Sequence, residues 1–120
     1  MATTSEPVER RKNKRFLIHE SAFVCFNRNP AMAARIVDAS VGGLGFTYLA
    51  SKRRTGDLFT VDMLCILCDL SQLAIPVRTI SDFETTVEGV RRCDVQFVGL
   101  TKGQKHGVER FIDCCATGEA

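Results

Sequence analysis

No apolar run in the 120 residues approaches the roughly 18–20 needed to cross a bilayer, and the opening MATTSEPVER is polar, without the apolar stretch of a signal peptide. A cytoplasmic location with no membrane span is the expectation. Histidine is scarce: His19 and His106 are the only two, and neither stands beside an obvious nucleophile. Nothing points to a triad or other catalytic constellation, so no catalytic residues are assigned and the chain is not expected to be an enzyme. A single C-x-x-C occurs, Cys65 and Cys68, where a zinc ribbon needs two such knuckles. It lies in an apolar strand pattern that would turn the two thiols to opposite sides of a sheet, so no metal site is expected. The glycine-rich SVGGLGF (40–46) lacks a following Gly-Lys-Ser/Thr and leads into a strand, which excludes both a Walker loop and a dinucleotide fingerprint. Its plain reading is a tight turn needing positive φ at Gly42 or Gly43. No internal repeat is apparent.

Charge is also short overall, a net +2, but it is unevenly spread. The first 16 residues carry five basic and two acidic side chains, and the rest of the chain carries 11 basic and 12 acidic. The basic character belongs to VERRKNKRFL (8–17), where Arg10, Arg11, Lys12, Lys14 and Arg15 crowd together. A nucleic-acid surface usually gives a domain isoelectric point above about 9, against 8.3 here. A barrel that binds single-stranded nucleic acid would also interleave stacking aromatics, and only Phe16 does so. A local anion site fits better, so DNA and RNA are not expected partners. Six cysteines (25, 65, 68, 93, 114 and 115) sit mostly in apolar runs and read as reduced core thiols.

SAFVCFN (21–27) is aromatic, β-branched and apolar on both faces, and AARIVD (33–38) follows it. Hydrophobicity alternates at period two through GLGFTYL (43–49), DLFTVDMLCIL (57–67), QLAIPVRTI (72–80) and RRCDVQFV (91–98). A turn is expected at NRNP (27–30), and Pro76 marks an edge or a bulge. The period then changes. Val108, Phe111, Ile112 and Cys115 make one apolar helical stripe, and Thr101 with Gln104 forms a capping box at its start. Gly103 and Gly107 weaken that helix, so docking rather than propensity must hold it. The pattern predicts a mainly β chain: a six-stranded antiparallel barrel, a C-terminal helix and a flexible N-terminal arm. Residues 1–9 are expected to be a disordered tail, 10–116 one domain and 117–120 a C-terminal tail.

Arg11 and Arg15 share a face if helical and stand roughly 13 Å apart if extended. Guanidinium forks match phosphate oxygens and the Hoogsteen edge of guanine. Arg11-x-x-x-Arg15, then Asp38-x-Ser40-x-x-Gly43, both leading into strands, resembles the PilZ domain family, whose two motifs are RxxxR and [D/N]xSxxG. The resemblance runs from Arg10 to about Ala116 and includes the strand-into-capped-helix ending at 94–112.

The resemblance implies a split barrel and a bacterial receptor for cyclic di-GMP, a ligand rather than a cofactor, acting in signal transduction. It assigns Arg11 and Arg15 to phosphates and guanine edges, and Asp38 to guanine N1–H and N2–H₂. Ser40 would bond phosphate or base and help set the turn, while Gly42 and Gly43 would let the backbone approach the ligand. Arg10 would stack on a guanine and support a second, intercalated ligand molecule. Without an output domain in view, the liganded surface would be read by a partner protein. A ligand-independent adaptor in motility or secretion, or the nucleic-acid-binding barrel, is the alternative. The arm through residue 15 is expected to be loose until ligand neutralises it.

Overall fold

The computed structural model describes residues 14–26 and 32–120. The strands are β1 (Phe16–Ile18), β2 (Ala22–Phe26), β3 (Ala33–Ser40), β4 (Gly43–Leu49), β5 (Leu58–Cys65), β6 (Leu70–Glu84), β7 (Val90–Phe97) and β8 (Ala116–Glu119), with one helix, α1 (Lys102–Cys115). Six of them run β2-β5-β6-β7-β4-β3, all antiparallel, and β2 pairs with β3 to close the barrel. Closure leaves no unpaired edge in those six strands. The expected strands and helix are present. The turn expected at 27–30 and the tail at 1–9 lie outside the described residues.

The inward residues of the alternating strands form the core. Phe26, Ile36, Leu44, Phe46, Met63, Val61, Ile75 and Val77 are fully buried, and Phe26 packs against Phe46 and Tyr48 with ring centroids 5.5 and 5.6 Å apart. Burying a side chain of this size contributes about 1.5–3 kcal/mol. The helix docks with the four residues of its predicted stripe, and Thr101 and Gln104 exchange the two capping hydrogen bonds. Near Pro76 the β5–β6 register slips: Ala74 takes φ 55° and its N–H donates to an Asp62 carboxylate oxygen at 2.7 Å.

Two strands were not expected. β3 is long enough to pair with β2 along its first half and with β1 along its second, at Phe16–Ala39 and Leu17–Asp38. On its other side β1 pairs with β8, and the Ala120 N–H donates to the Arg15 carbonyl at 3.0 Å. The segment read as a tail, 117–120, is therefore part of a strand ribbon. The sequence of β8, ATGE (116–119), has too little apolar character to announce a strand; backbone pairing with β1 supplies the reason.

The C-x-x-C also differs from expectation. β5 stops at Cys65 and residues 66–69 form the turn into β6, so Cys65 and Cys68 are not on opposite faces of one strand. Among the described residues, no helix is long and apolar enough to cross a membrane.

Candidate functional site

Register brings together residues that are distant in sequence. Leu17 pairs with Asp38, Asp38 with Gly45, Gly45 with Asp94, and Asp94 with Ser81. This row crosses β1, β3, β4, β7 and β6 and sets two carboxylates on either side of a glycine. A Cβ at Gly45 would lie 2.4 Å from Arg92 Nη2 and 2.7 Å from Asp94 Oδ1, so the missing side chain makes room for the charges above it.

Two guanidiniums bridge the carboxylates. Arg15 donates through Nε and Nη2 to Asp38 Oδ1 at 3.1 and 2.9 Å, and its Nη2 stands 3.7 Å from Asp94 Oδ1. Arg92 Nη2 donates to Asp38 Oδ2 at 2.9 Å and to Asp94 Oδ1 at 2.8 Å, while its Nε reaches Asp94 Oδ2 at 3.3 Å. Ser81 adds its hydroxyl to Asp94. Hydrogen bonds from Arg92 to Asp94 raise its pKa against the opposing effect of burial, so the guanidinium stays charged. The network is formally neutral, two cations against two anions. It is also half-sheltered: the Arg15 side chain is 16% exposed and that of Asp38 11%.

Of the residues expected from sequence, Arg15 and Asp38 are in direct contact; Arg10 and Arg11 lie outside the described residues. Arg15 is not loose. Its side chain is held by Asp38 and its carbonyl by Ala120, and Lys14 pairs with Glu119 at 3.0 Å on the surface. Ser40 is buried at the end of β3, two residues after Asp38, and its Oγ accepts the Gly42 N–H at 3.1 Å, which fixes the turn. The Gly42 carbonyl accepts from Phe97 N–H at 3.0 Å.

The positive φ expected at Gly42 or Gly43 occurs at neither, and Gly43 has a different need. It lies outside the left-handed region, and a Cβ there would stand 2.2 Å from the Val95 carbonyl oxygen, so strand-to-strand approach demands the glycine. Gly42 also lines a cleft of about 470 Å³ with Gln96, Phe97, Leu100, Lys105 and Glu109.

Arg92, Asp94 and Gly45 were missed. The signal was available: the alternation of RRCDVQFV puts Arg92 and Asp94 on the same face, opposite Cys93 and Val95. An Arg-x-Asp pair facing away from the core carries no label of its own, however, until register sets it beside Asp38.

A family model matches nowhere in the chain, and no curated protein matches it. Solved structures do. The PilZ domain of YcgR from Escherichia coli with c-di-GMP superposes with a TM-score of 0.70 at 18% identity, over 88% of this chain and 90% of that one. The K. pneumonia MrkH–c-di-GMP complex gives 0.68 at 16% identity over 86% of this chain, and YcgR of E. coli in complex with c-di-GMP gives 0.65 at 18% over 88%. The chain spans nearly all of the isolated domain but only 51% and 45% of the two longer proteins. At such low identity the likeness is one of architecture: a closed six-stranded barrel with a C-terminal helix, the fold of the PilZ domain.

Proposed function

We propose that the chain is a receptor for cyclic di-GMP, which it binds where β1 meets the β3–β4 turn. The observation that carries this reading is the contact between Arg15 and Asp38. It unites the last arginine of one motif with the acid of the other, which a chance pair of short motifs would not require. The barrel shared with proteins solved with c-di-GMP supports it.

The chemistry follows from the charge count. Arg15, Arg92, Asp38 and Asp94 cancel, so a dianion arriving there needs cations from elsewhere. Arg10, Arg11 and Lys12 lie three to five residues before Arg15 and can supply them. Binding thus fixes the arm over the barrel, with Arg11 and Arg15 on phosphate and guanine. Asp38 spends its acceptors on two arginines, so a guanine N1–H and N2–H₂ edge reaches it by displacing one of them. Arg15 is the one that leaves, because Arg92 is also anchored to Asp94. Ser40, Gly42 and Gly43 hold the turn beside the ligand, and Arg10 stacks on a second, intercalated molecule. The rearranged arm is the surface a partner protein reads, in the cytoplasm and without catalysis.

Titration calorimetry with cyclic di-GMP, with cyclic di-AMP and GMP as controls, tests this reading. The guanine dinucleotide alone should bind, at two per chain, falling to one in Arg10→Ala and to negligible binding in Arg15→Ala. The self-satisfied Arg15–Asp38–Arg92–Asp94 network favours one alternative, an adaptor acting by protein contacts alone. A melting temperature that cyclic di-GMP does not raise would decide for the adaptor.

A further inference from the structure

Three of the six cysteines meet where β5 turns into β6, and the receptor function uses none of them. β5 ends at Cys65, and Cys68 sits in the turn of residues 66–69. That turn is fixed by Asp69 N–H to the Ile66 carbonyl at 3.3 Å, with Asp69 at φ 55°, and by Ile66 N–H to the Ser21 carbonyl at 3.2 Å. The last residue of α1, Cys115, approaches from the other side. All three sulfurs lie within 4.8 Å of one another, with Cys68 and Cys115 at 4.0 Å. The Ser21 hydroxyl lies 3.6 Å from the Cys65 sulfur.

Two sulfurs would suffice for a disulfide, which would leave the third without a role. Three converging sulfurs answer instead to metal coordination. C-x-x-C on a tight turn has the spacing of a zinc knuckle. Zn–S bonds of about 2.3 Å in a tetrahedral site put sulfurs about 3.8 Å apart, so the thiols here need shifts of about 1 Å or less. The Ser21 hydroxyl stands where it can support a Cys65 thiolate from outside the coordination shell.

We propose that Cys65, Cys68 and Cys115 form a three-thiolate site for a thiophilic d¹⁰ ion, zinc(II) among the divalent ions, with water as fourth ligand on the half-buried Cys68 side. On loading, three S–H bonds release their protons to solvent and three S–Zn bonds form; no electron moves. The site joins the β5–β6 turn to the end of α1. It also adjoins β1, because the Cys115 carbonyl accepts the His19 N–H at 2.8 Å.

The experiment uses the full chain, reduced and stripped of metal. Cobalt(II) should give a thiolate-to-metal charge-transfer band saturating at one ion per chain, and zinc should displace it. Cys68→Ser is the first variant, because this half-buried position tolerates serine; Cys65→Ser is the second. Each should abolish the band, while Cys114→Ser and Cys25→Ser retain it. By mass-resolved alkylation, zinc should slow modification of Cys68 at least tenfold and leave the exposed Cys114 unchanged. No charge-transfer band in the parent, or an undiminished band in a Cys68→Ser protein whose melt matches the parent, would overturn the proposal.

Discussion

Arg91 and Arg92 are adjacent on β7, yet they serve two different devices. Side chains alternate along a strand, so one arginine turns inward and the other outward. Arg91 donates through Nε to Asp82 Oδ1 at 2.8 Å and through Nη2 to the Asp82 carbonyl at 3.0 Å. The Tyr48 and Thr55 hydroxyls both close on Asp82 Oδ2, and the Asp82 side chain is wholly buried. This is a sealed clasp between β4, β6, β7 and the segment after β4. Arg92 joins an open network of the same ingredients, in which Asp38 and Asp94 remain partly accessible and Arg15 comes from the residue before β1. An aspartate enclosed by three side-chain donors holds the fold. Asp38 is instead shared by two arginines, and on the proposed reading Arg15, which lacks the close contacts of Arg92 to Asp94, gives way to the ligand.

The sharpest way to break that contrast is to neutralise each acid in turn. Asp82→Asn keeps the shape but loses the charge that Tyr48, Thr55 and Arg91 converge on. It should cost about 3 kcal/mol of stability, a melting temperature lower by on the order of 10 °C, and leave cyclic di-GMP affinity in the folded fraction unchanged. Asp38→Ala should do the reverse. On the proposed reading, in which Asp38 accepts the guanine edge, the loss should be about 1–3 kcal/mol of binding, or roughly ten- to hundredfold in affinity by calorimetry. The melt should move far less than in Asp82→Asn, because Arg92 keeps Asp94. Equal stability losses in the two variants would erase the distinction.

A finer cut separates the two arginines of the open site. Arg92→Lys keeps the charge but removes the fork that spans Asp38 and Asp94, and an ammonium cannot bridge both with the same geometry. The expected effect is a several-fold loss of affinity, smaller than for Asp38→Ala. Restoration to the parent value would show that charge alone matters at this position.

The barrel was legible in the sequence because six short strand-like segments stand between turn residues, most of them alternating, and the helix changes the period. Thr101, Gln104, Val108, Phe111, Ile112 and Cys115 all do what their spacing demands. The site was half legible. Arg15 and Asp38 belong to recognisable patterns, while Arg92, Asp94 and Gly45 acquire meaning only through pairing across β3, β4 and β7. β1 and β8 were hidden because their stabilisation lies in backbone hydrogen bonds to each other, which composition does not display. The facing of Cys68 was misread for a related reason: a strand reading was extended past Cys65, where β5 ends. The turn that ends β5 there reverses the conclusion about which way Cys68 faces.

The smallest expected effect is a dependence on acidity, and it isolates the sealed clasp. Burial alone would raise the Asp82 pKa, but hydrogen bonds from Thr55, Tyr48 and Arg91 together with the Arg91 charge outweigh it and hold the pKa below the usual aspartate value. A carboxylate with a lowered folded pKa stabilises the fold fully above its unfolded value, about 3.9. That contribution falls away as pH drops from there through the folded pKa. The stability gap between the parent and Asp82→Asn should therefore be flat from pH 7 to about 4 and narrow only below it. Thermal melts of both proteins across that range measure the gap. Narrowing that began well above pH 4 would mean that Asp82 is not held ionised by its donors, and the clasp would then be no different in kind from the open site beside it.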